Sequence, residues 1–392
     1  MDKTTKTEII FRAGEILTNC KETAPDKKTP VYTTFDIKSP SIPQIVADCY
    51  KGVYWRDFYY TVVGFGEAFP QDDLDRSMRY LLEPPVGKMQ IPGYHPTDEI
   101  VFHKARLADG TVFCNYKFPW QTPYSADNPM FAVMLTAEYV RRGGDAGLFA
   151  ENADKLELAI SSVHLSDRHL VHHTGPYVYG FYDTIHLAGE QTHASILYLN
   201  AARDFSELYG TLGNDEKVRH WRKVAGSIQE NLPALLSEDG DMFISDTGVN
   251  CVTDIWASAY AVYSNVVDTE TAERISRWMV TNYKQYVRGG HVRHVPKPDN
   301  WRCVVGADST GVGFMQNGAY WSVASPWVLH TLALTDKTLA RRMAEDLAAA
   351  ALAYDFPECI NEDKTCRLPG YTASAGMTLL ALRIAYGTES GR

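Results

Sequence analysis

Two acidic residues lie among aromatic side chains and are candidates for proton transfer. Asp183 lies in the segment YGFYDT, and Glu358 lies in DFPECI. Burial beside aromatic rings disfavours the charged form of a carboxyl group and raises its pKa, which suits Asp183 to the role of general acid. A second carboxylate that activates water completes the pair of groups that hydrolysis of a glycosidic bond needs. We therefore expect Asp183 to act as the acid and Glu358 as the base.

Aromatic, amide and charged side chains recur wherever a long loop leads into a helical segment. Such groups together are typical of a carbohydrate pocket, because a sugar ring offers C–H faces to aromatic rings and hydroxyls to polar groups. The residues expected to bind substrate are Trp55, Arg56, Asp57, Trp120, Tyr124, Asp127, Tyr182, Gln191, Trp256, Gln316, Asn317 and Trp321. Two purely structural roles stay open beside substrate binding: Asp127, Asp254 and Thr372 suit helix N-caps, and any single tryptophan can belong to the core.

The elements that must position these residues are helices. Apolar residues recur with helical spacing through most of the chain, and alternating strand patterns are rare. The pattern predicts helices at residues 7–20, 55–68, 72–83, 128–143, 147–164, 190–210, 214–237, 251–265, 268–284, 316–334, 336–353 and 372–386. Short and long connections alternate between them. The helices that follow long loops are apolar over much of their surface, and those that follow short turns carry charges.

This alternation predicts an all-α fold, an (α/α)6 toroid. A helix that is apolar nearly all round must be buried on most sides, whereas a helix with a charged face lies outside. Six inner and six outer helices then put the long loops at one end of the toroid, where sites are usually built. A solenoid is the alternative, but its repeats would be nearly uniform in length. We expect residues 1–392 to form a single toroid domain.

The toroid also relates the two carboxyl groups. In a six-fold ring, the loops before the helices at 190–210 and 372–386 lie across the pore from each other. Asp183 and Glu358 belong to these two loops, so a sugar and a water molecule can lie between them. That arrangement favours inversion at the anomeric carbon.

At these residues the chain resembles the six-hairpin glycosidases, nearest in pattern to the glycogen-debranching, glucoamylase and trehalase-like enzymes. VYWRDFYYTVVGFGE is similar to their W-x-R-D segment, although Trp55, Arg56 and Asp57 are adjacent here. YGFYDT is similar to the segment that carries their acid. QNGAYWSVASPWVL is similar to a Q-N-G-x-x-W helix start, and FPECINEDKTCRLPGYTAS resembles the segment that carries a candidate base. The resemblance implies a toroid and an enzyme that hydrolyses O-glycosyl bonds.

Charge, apolar content and cysteine spacing limit the classes of partner and the cellular location that we expect. The chain has 392 residues and a formal net charge of −10, whereas a nucleic-acid-binding surface needs a basic face. No apolar run approaches a membrane span, and the N-terminus lacks the pattern of a signal peptide. The seven cysteines are scattered without a CxxC pair, which indicates free thiols and a cytoplasmic location. We expect a small soluble oligosaccharide or glycoside as substrate and no cofactor; the oligomeric state is left open.

Three alternatives remain open. A sugar 2-epimerase of the same fold would use a histidine pair as acid and base, drawn from His186, His193 and His330. An unsaturated-uronide hydrolase or lyase would hold a sugar carboxylate with arginines, and the candidates are Arg56, Arg293 and Arg302. A toroid that only binds its partner is the third. No metal site is expected, because HVRH at 291–294 has no supporting carboxylate motif.

Overall fold

The computed structural model describes residues 3–23, 28–40, 42, 53–82, 86–89, 99–102, 127–161, 163–174, 182, 184–304 and 311–387. Thirteen α-helices occur within these residues. They are α1 Lys3–Asn19, α2 Trp55–Phe65, α3 Gln71–Leu82, α4 Asp127–Arg141, α5 Ala146–Ile160, α6 Thr192–Thr211, α7 Asp215–Asn231, α8 Ile255–Tyr263, α9 Thr269–Thr281, α10 Tyr283–Tyr286, α11 Ser325–Thr335, α12 Lys337–Tyr354 and α13 Thr372–Ala385. α10 is a single turn, and the other twelve correspond to the twelve predicted helices.

Six helices form a closed inner ring. Helices α2, α4, α6, α8, α11 and α13 each contact the next, and α13 contacts α2. Helices α1, α3, α5, α7, α9 and α12 pack around them. The all-α toroid predicted from the sequence is therefore confirmed.

Burial of the helices explains which of them lie inside. All nine residues of α8 are buried, so this helix has no face that tolerates charge. In α7, by contrast, only Val218, Trp221, Ala225 and Ile228 are buried. These four positions form one stripe of a helix with 3.6 residues per turn, and the charged residues of α7 face outward.

The first and last inner helices approach each other through glycine. A Cβ atom added to Gly64 in α2 would lie 2.3 Å from the backbone carbonyl carbon of Gly376 in α13. No side chain fits there, so glycine allows these two helices to pack closely where the ring closes.

Short antiparallel ribbons stiffen the connections. They pair β1 Lys21–Thr23 with β2 Pro30–Tyr32, β3 Val86–Met89 with β4 Glu99–Phe102, β5 His172–His173 with β6 Gly189–Glu190, β7 Val287–Arg288 with β8 His291–Val292, and β9 Cys359–Ile360 with β10 Cys366–Arg367. Each ribbon precedes an inner helix. Their strands have two to four residues, too few to produce a periodic pattern in the sequence.

The helix predicted at 316–334 is wrong in its first half, because helix α11 begins at Ser325. Turns and a bend occupy most of residues 316–324, and Tyr320 and Trp321 bridge two ribbons. The backbones of Tyr320 and Ile360 exchange hydrogen bonds of 2.8 and 2.9 Å, and those of Trp321 and Val292 do the same at the same lengths. Pro326 does not kink this helix. This proline lies in the first turn of α11, where its missing N–H needs no partner.

The cysteines and the lengths of the helices can be compared with what the sequence predicts. The five cysteines that the structure describes, Cys20, Cys251, Cys303, Cys359 and Cys366, form no disulfide bond. None of the described helices is both long enough and apolar enough to cross a bilayer.

Candidate active site

Aromatic rings from five inner helices fill the centre of the toroid. Trp327 of α11 lies 5.7 Å from Tyr60 of α2, 4.6 Å from Tyr260 of α8 and 6.0 Å from His193 of α6, measured between ring centroids. Phe131 of α4 lies 5.4 Å from Tyr60. Burial and, to a lesser degree, the charge of nearby Arg56 together lower the pKa of His193 to about 3, so the imidazole is neutral at physiological pH. These rings form a floor that closes the pore below the N-terminal ends of the inner helices.

Above this floor, Tyr182 joins the long loop before α6 to the start of α8. Its ring meets the imidazole of His294 edge-on at 4.7 Å, and His294 stacks on Trp256 at 3.8 Å. The phenol donates to the carboxylate of Asp254, with oxygen–oxygen distances of 3.1 and 2.9 Å. We call the open end of the toroid, beside the N-terminal ends of the inner helices, the mouth. One of its walls is built from the buried rings of Tyr182, His294 and Trp256 and the buried carboxyl group of Asp254.

Asp254 combines a structural role with an unusual titration. It is the N-cap of α8 and accepts a hydrogen bond from the amide of Ala257 at 2.9 Å, so the capping role considered for this residue is confirmed. Burial raises its pKa to about 7, and the hydrogen bonds from Ala257 and Tyr182 limit the rise. Near neutral pH, the mouth thus contains a carboxyl group that is partly protonated.

The start of α2 is tied to α4 and α13 by two charged contacts. Arg56 pairs with the fully buried Asp127 at 2.8 Å. Asp57 accepts a 2.5 Å hydrogen bond from the phenol of Tyr371. Burial raises the pKa of Tyr371 well above its usual value, and the charges of Asp57 and Glu358 raise it further. Three N-terminal ends of inner helices therefore meet in one charged cluster that includes Glu358.

Glu358 is held by the ribbon that precedes α13. Its backbone amide donates to the carbonyls of Arg367 and Leu368 at 2.9 and 3.1 Å. Its Oε2 accepts a hydrogen bond from Nε of Arg367 at 2.6 Å, and only 12% of the Glu358 side chain is exposed. This carboxylate is sheltered, oriented and adjacent to the cluster of Arg56, Asp57 and Tyr371.

Tyr182 and Thr184, the described residues on either side of position 183, are both held by hydrogen bonds. Thr184 donates through its backbone amide and its hydroxyl to the same oxygen, Oε1 of Gln316, at 2.8 Å each. Ile185 bridges Val304, and Tyr182 is held by its hydrogen bond to Asp254. Gln316 was expected to bind substrate, and in the structure its side-chain oxygen accepts both hydrogen bonds from Thr184.

Not all the predicted site residues can be placed. Asp183, Trp120 and Tyr124 lie outside the described residues. Trp55, Tyr182, Gln191, Trp256, Asn317 and Trp321 are all buried near the starts of inner helices. Trp256 lies under His294, which covers one of its faces. The side-chain amide of Gln191 has no hydrogen-bond partner among the described residues.

The histidines and arginines of the alternative mechanisms have individual partners of their own. His186 lies beside Cys303, with 3.5 Å between Nδ1 and Sγ, and His330 meets Tyr263. No ring contact joins any two of His186, His193 and His330 in the described part of the chain. Among the proposed carboxylate-binding arginines, Arg56 is neutralised by Asp127, and Arg293 donates to Asn300 at 2.8 Å. The described residues contain no group of histidine, cysteine, aspartate and glutamate suited to a metal ion.

Sequence reasoning missed Arg367 and Thr184 as parts of the mouth, and it did not predict the bond between Tyr371 and Asp57. Tyr371 reaches a carboxylate that is 314 positions away, which no local pattern can reveal. Arg367 is nearer, because Glu358 lies only nine residues before it. The turn-forming run Asn361–Lys364 between two cysteines could have indicated a hairpin and thereby this pair.

Comparison with known proteins shows which solved structures share this fold. No protein-family model matches the sequence, and no curated protein sequence matches it. Solved structures do match over nearly the whole chain. A family 63 glycoside hydrolase, the mannosylglycerate hydrolase of Thermus thermophilus, is 13% identical; the match covers 96% of this chain and 100% of that chain, with a TM-score of 0.63.

A second structure, of a wild-type glycosidase, is 15% identical over 99% of both chains with a TM-score of 0.64. The fold is that of the six-hairpin glycosidases. A variant glycosidase in complex with glucose also matches, at 14% identity over 99% of both chains and a TM-score of 0.61. In this six-hairpin glycosidase fold, the mouth around Glu358 and Tyr182 lies at the end where the long loops meet the inner helices.

Proposed function

We propose that this protein is a glycoside hydrolase that acts on a small soluble oligosaccharide or glycoside, with Asp183 as general acid and Glu358 as general base. The observation that carries the proposal is the position of Glu358. It is a sheltered carboxylate at the mouth of a closed six-hairpin ring, paired with Arg367 and close enough to Tyr371 that its charge raises the pKa of this phenol. A base that activates water needs such a fixed, largely desolvated position.

The ring supports a partner carboxyl group on the opposite side. Helices α6 and α13 are separated by two others in either direction around the ring, so the loops that lead into them face each other. Glu358 belongs to the loop before α13, and Asp183 belongs to the loop before α6. The chain neighbours of Asp183, Tyr182 and Thr184, are both anchored at the mouth.

The chemistry follows from the two roles. Asp183 donates its proton to the glycosidic oxygen as the bond from this oxygen to the anomeric carbon breaks. Glu358 accepts a proton from a water molecule, whose oxygen bonds to the anomeric carbon from the opposite face of the sugar. The products are an alcohol and a sugar of inverted configuration, and both carboxyl groups then return to their starting states by exchange with solvent. No cofactor is needed for this reaction.

The substrate is proposed only as a class. The names of the structural neighbours justify including mannosylglycerate and glucosides in a first screen, beside aryl glycosides and disaccharides. The location proposed from the sequence is the cytoplasm, and the five cysteines that the structure describes, all free thiols, are compatible with it.

The test is this screen with wild-type protein, Asp183→Asn and Glu358→Gln. Asp363→Asn, an exposed carboxylate in the turn between β9 and β10, is the matched control. We expect hydrolysis of one substrate class by the wild type and the control, and losses of about 100-fold or more in both site variants. Full activity in both site variants would show the assignment to be wrong. Interconversion of an N-acyl hexosamine without any hydrolysis would favour the epimerase instead.

A further inference from the structure

Arg367 contacts Glu358 through both backbone and side chain. In the ribbon, Arg367 of β10 pairs with Cys359 of β9, which is the residue directly after Glu358. The Arg367 carbonyl accepts from the Glu358 amide at 2.9 Å, and the Arg367 Nε donates to the Glu358 Oε2 at 2.6 Å. The arginine therefore fixes both the position of the backbone at Glu358 and the direction of its carboxylate.

The environment makes this pair more than a surface ion pair. Exposed pairs contribute little, because water screens the charges and both side chains lose freedom. Here the carboxylate is almost covered, whereas 37% of the Arg367 side chain remains exposed. The cost of desolvating Glu358 is thus offset by a cation that is itself still partly hydrated.

Other groups that face Glu358 do not supply this charge. Tyr371 at the start of α13 is neutral, because burial and two carboxylates raise the pKa of its phenol. Cys359 is neutral as well, because burial raises the pKa of its thiol well above the usual range. Of the charged residues of α2, Asp57 is an anion, and Arg56 pairs with Asp127. Arg367 is therefore a cation in direct contact with the Glu358 carboxylate.

We infer that Arg367 is the positioning residue for Glu358: it holds the base in its ionised form and fixes one carboxylate oxygen. The inference rests on the proposed function, since it assigns a partner to the proposed base. It has a specific consequence for pH dependence. A neighbouring cation favours the ionised carboxylate, so the base stays competent to lower pH with Arg367 than without it.

The experiment measures kcat and kcat/KM against pH for the wild type and three variants. Arg367→Gln removes the charge, and Arg367→Lys keeps it. Lys364→Gln removes an exposed cation from the turn of the same ribbon. For Arg367→Gln we expect kcat at the pH optimum to fall roughly tenfold or more. We also expect the acidic limb of its profile to move to higher pH by about one unit.

Arg367→Lys should restore the acidic limb in large part, because it keeps the charge, and Lys364→Gln should match the wild type. Wild-type kcat and an unmoved acidic limb in Arg367→Gln would overturn the inference. So would a loss of kcat that Arg367→Lys shares fully with no shift in either profile, since this is the behaviour of a merely structural residue. Glu358→Gln separates the two levels: if it is inactive while Arg367→Gln is normal, only this inference fails, and if it is fully active, both fail.

Discussion

The phenol of Tyr182 donates to the carboxylate of Asp254, and this bond joins the loop before α6 to the N-terminus of α8. The bond links a helix cap, Asp254, to Tyr182, which is the chain neighbour of the proposed acid, Asp183. The buried carboxyl group of Asp254 also titrates near neutral pH, since burial raises its pKa to about 7.

Asp254→Asn is expected to change how stability depends on pH. The folded protein binds the Asp254 proton more tightly than the unfolded chain does, so this residue favours the folded state at low pH. That advantage is lost as pH rises from the unfolded pKa of 3.8 through about 7. Relative to the asparagine variant, the wild type should lose on the order of 4 kcal/mol across this range.

Urea unfolding at a series of pH values measures the difference between the two proteins. Asparagine is also a good N-cap, so helix α8 should persist in the variant. The buried histidines contribute pH dependence of their own, but they are present in both proteins and cancel in the difference. A difference that stays constant between about pH 4 and pH 8 would contradict the titration assigned to Asp254.

Arg56→Met should strongly destabilise the fold, because it leaves the buried carboxylate of Asp127 without its cation. The expected cost is about 3–5 kcal/mol in the free energy of unfolding. Adding Asp127→Asn to Arg56→Met should recover part of this loss, because the unpaired charge is then gone. Chemical denaturation of the single and double variants checks the prediction. Equal stability of Arg56→Met and wild type would mean that the pair contributes nothing.

Gly64→Ala is expected to disturb the closure of the ring. The added methyl group would overlap the backbone of α13, and the helices must separate to admit it. We expect a loss of about 3 kcal/mol or more. Gly226→Ala in α7, where nothing lies within 4 Å of the added atom, is the matched control and should gain about 0.5–1 kcal/mol. Thermal melting of both variants measures the difference in stability. Similar melting temperatures for Gly64→Ala and Gly226→Ala would contradict the close approach of α2 and α13.

Gln316→Leu should lower kcat and leave the fold intact. It removes the oxygen that accepts both hydrogen bonds from Thr184, so the segment next to the proposed acid loses an anchor. A small misplacement of a catalytic group costs between about 10-fold and 100-fold in rate. Thr184→Val should cost less, because the backbone bond remains, and Thr184→Ser should behave like the wild type. If Gln316→Leu keeps full kcat while binding substrate normally, the hydrogen bonds between Thr184 and Gln316 have no catalytic role.

The sequence was sufficient to predict the ring because burial is imposed on whole helices. The almost wholly apolar sequence of α8 contrasts with the charged face of α7. Alternating loop lengths then fixed their order. The same reasoning predicted that polar residues such as Asp57 and Glu358 would collect at one end, which the structure shows.

What the sequence could not reveal are contacts made by extended backbone. Residues 316–324 look helical because their apolar residues are closely spaced, yet Tyr320 and Trp321 bridge two ribbons instead. Backbone pairing of this kind depends on partners far along the chain and leaves no periodic trace. For the same reason, the pairing of Tyr371 with Asp57 could not be anticipated.

The most direct test of the proposed mechanism is the dependence of kcat/KM on the leaving group in Asp183→Asn and Glu358→Gln. A dinitrophenyl glycoside needs no proton from the enzyme, whereas an alkyl glycoside does. We therefore expect Asp183→Asn to keep most of its activity on the dinitrophenyl substrate and to lose about 100-fold or more on the alkyl one. Glu358→Gln should lose a similar factor on both. Equal losses on both substrates in Asp183→Asn, or an active Glu358→Gln, would contradict the account.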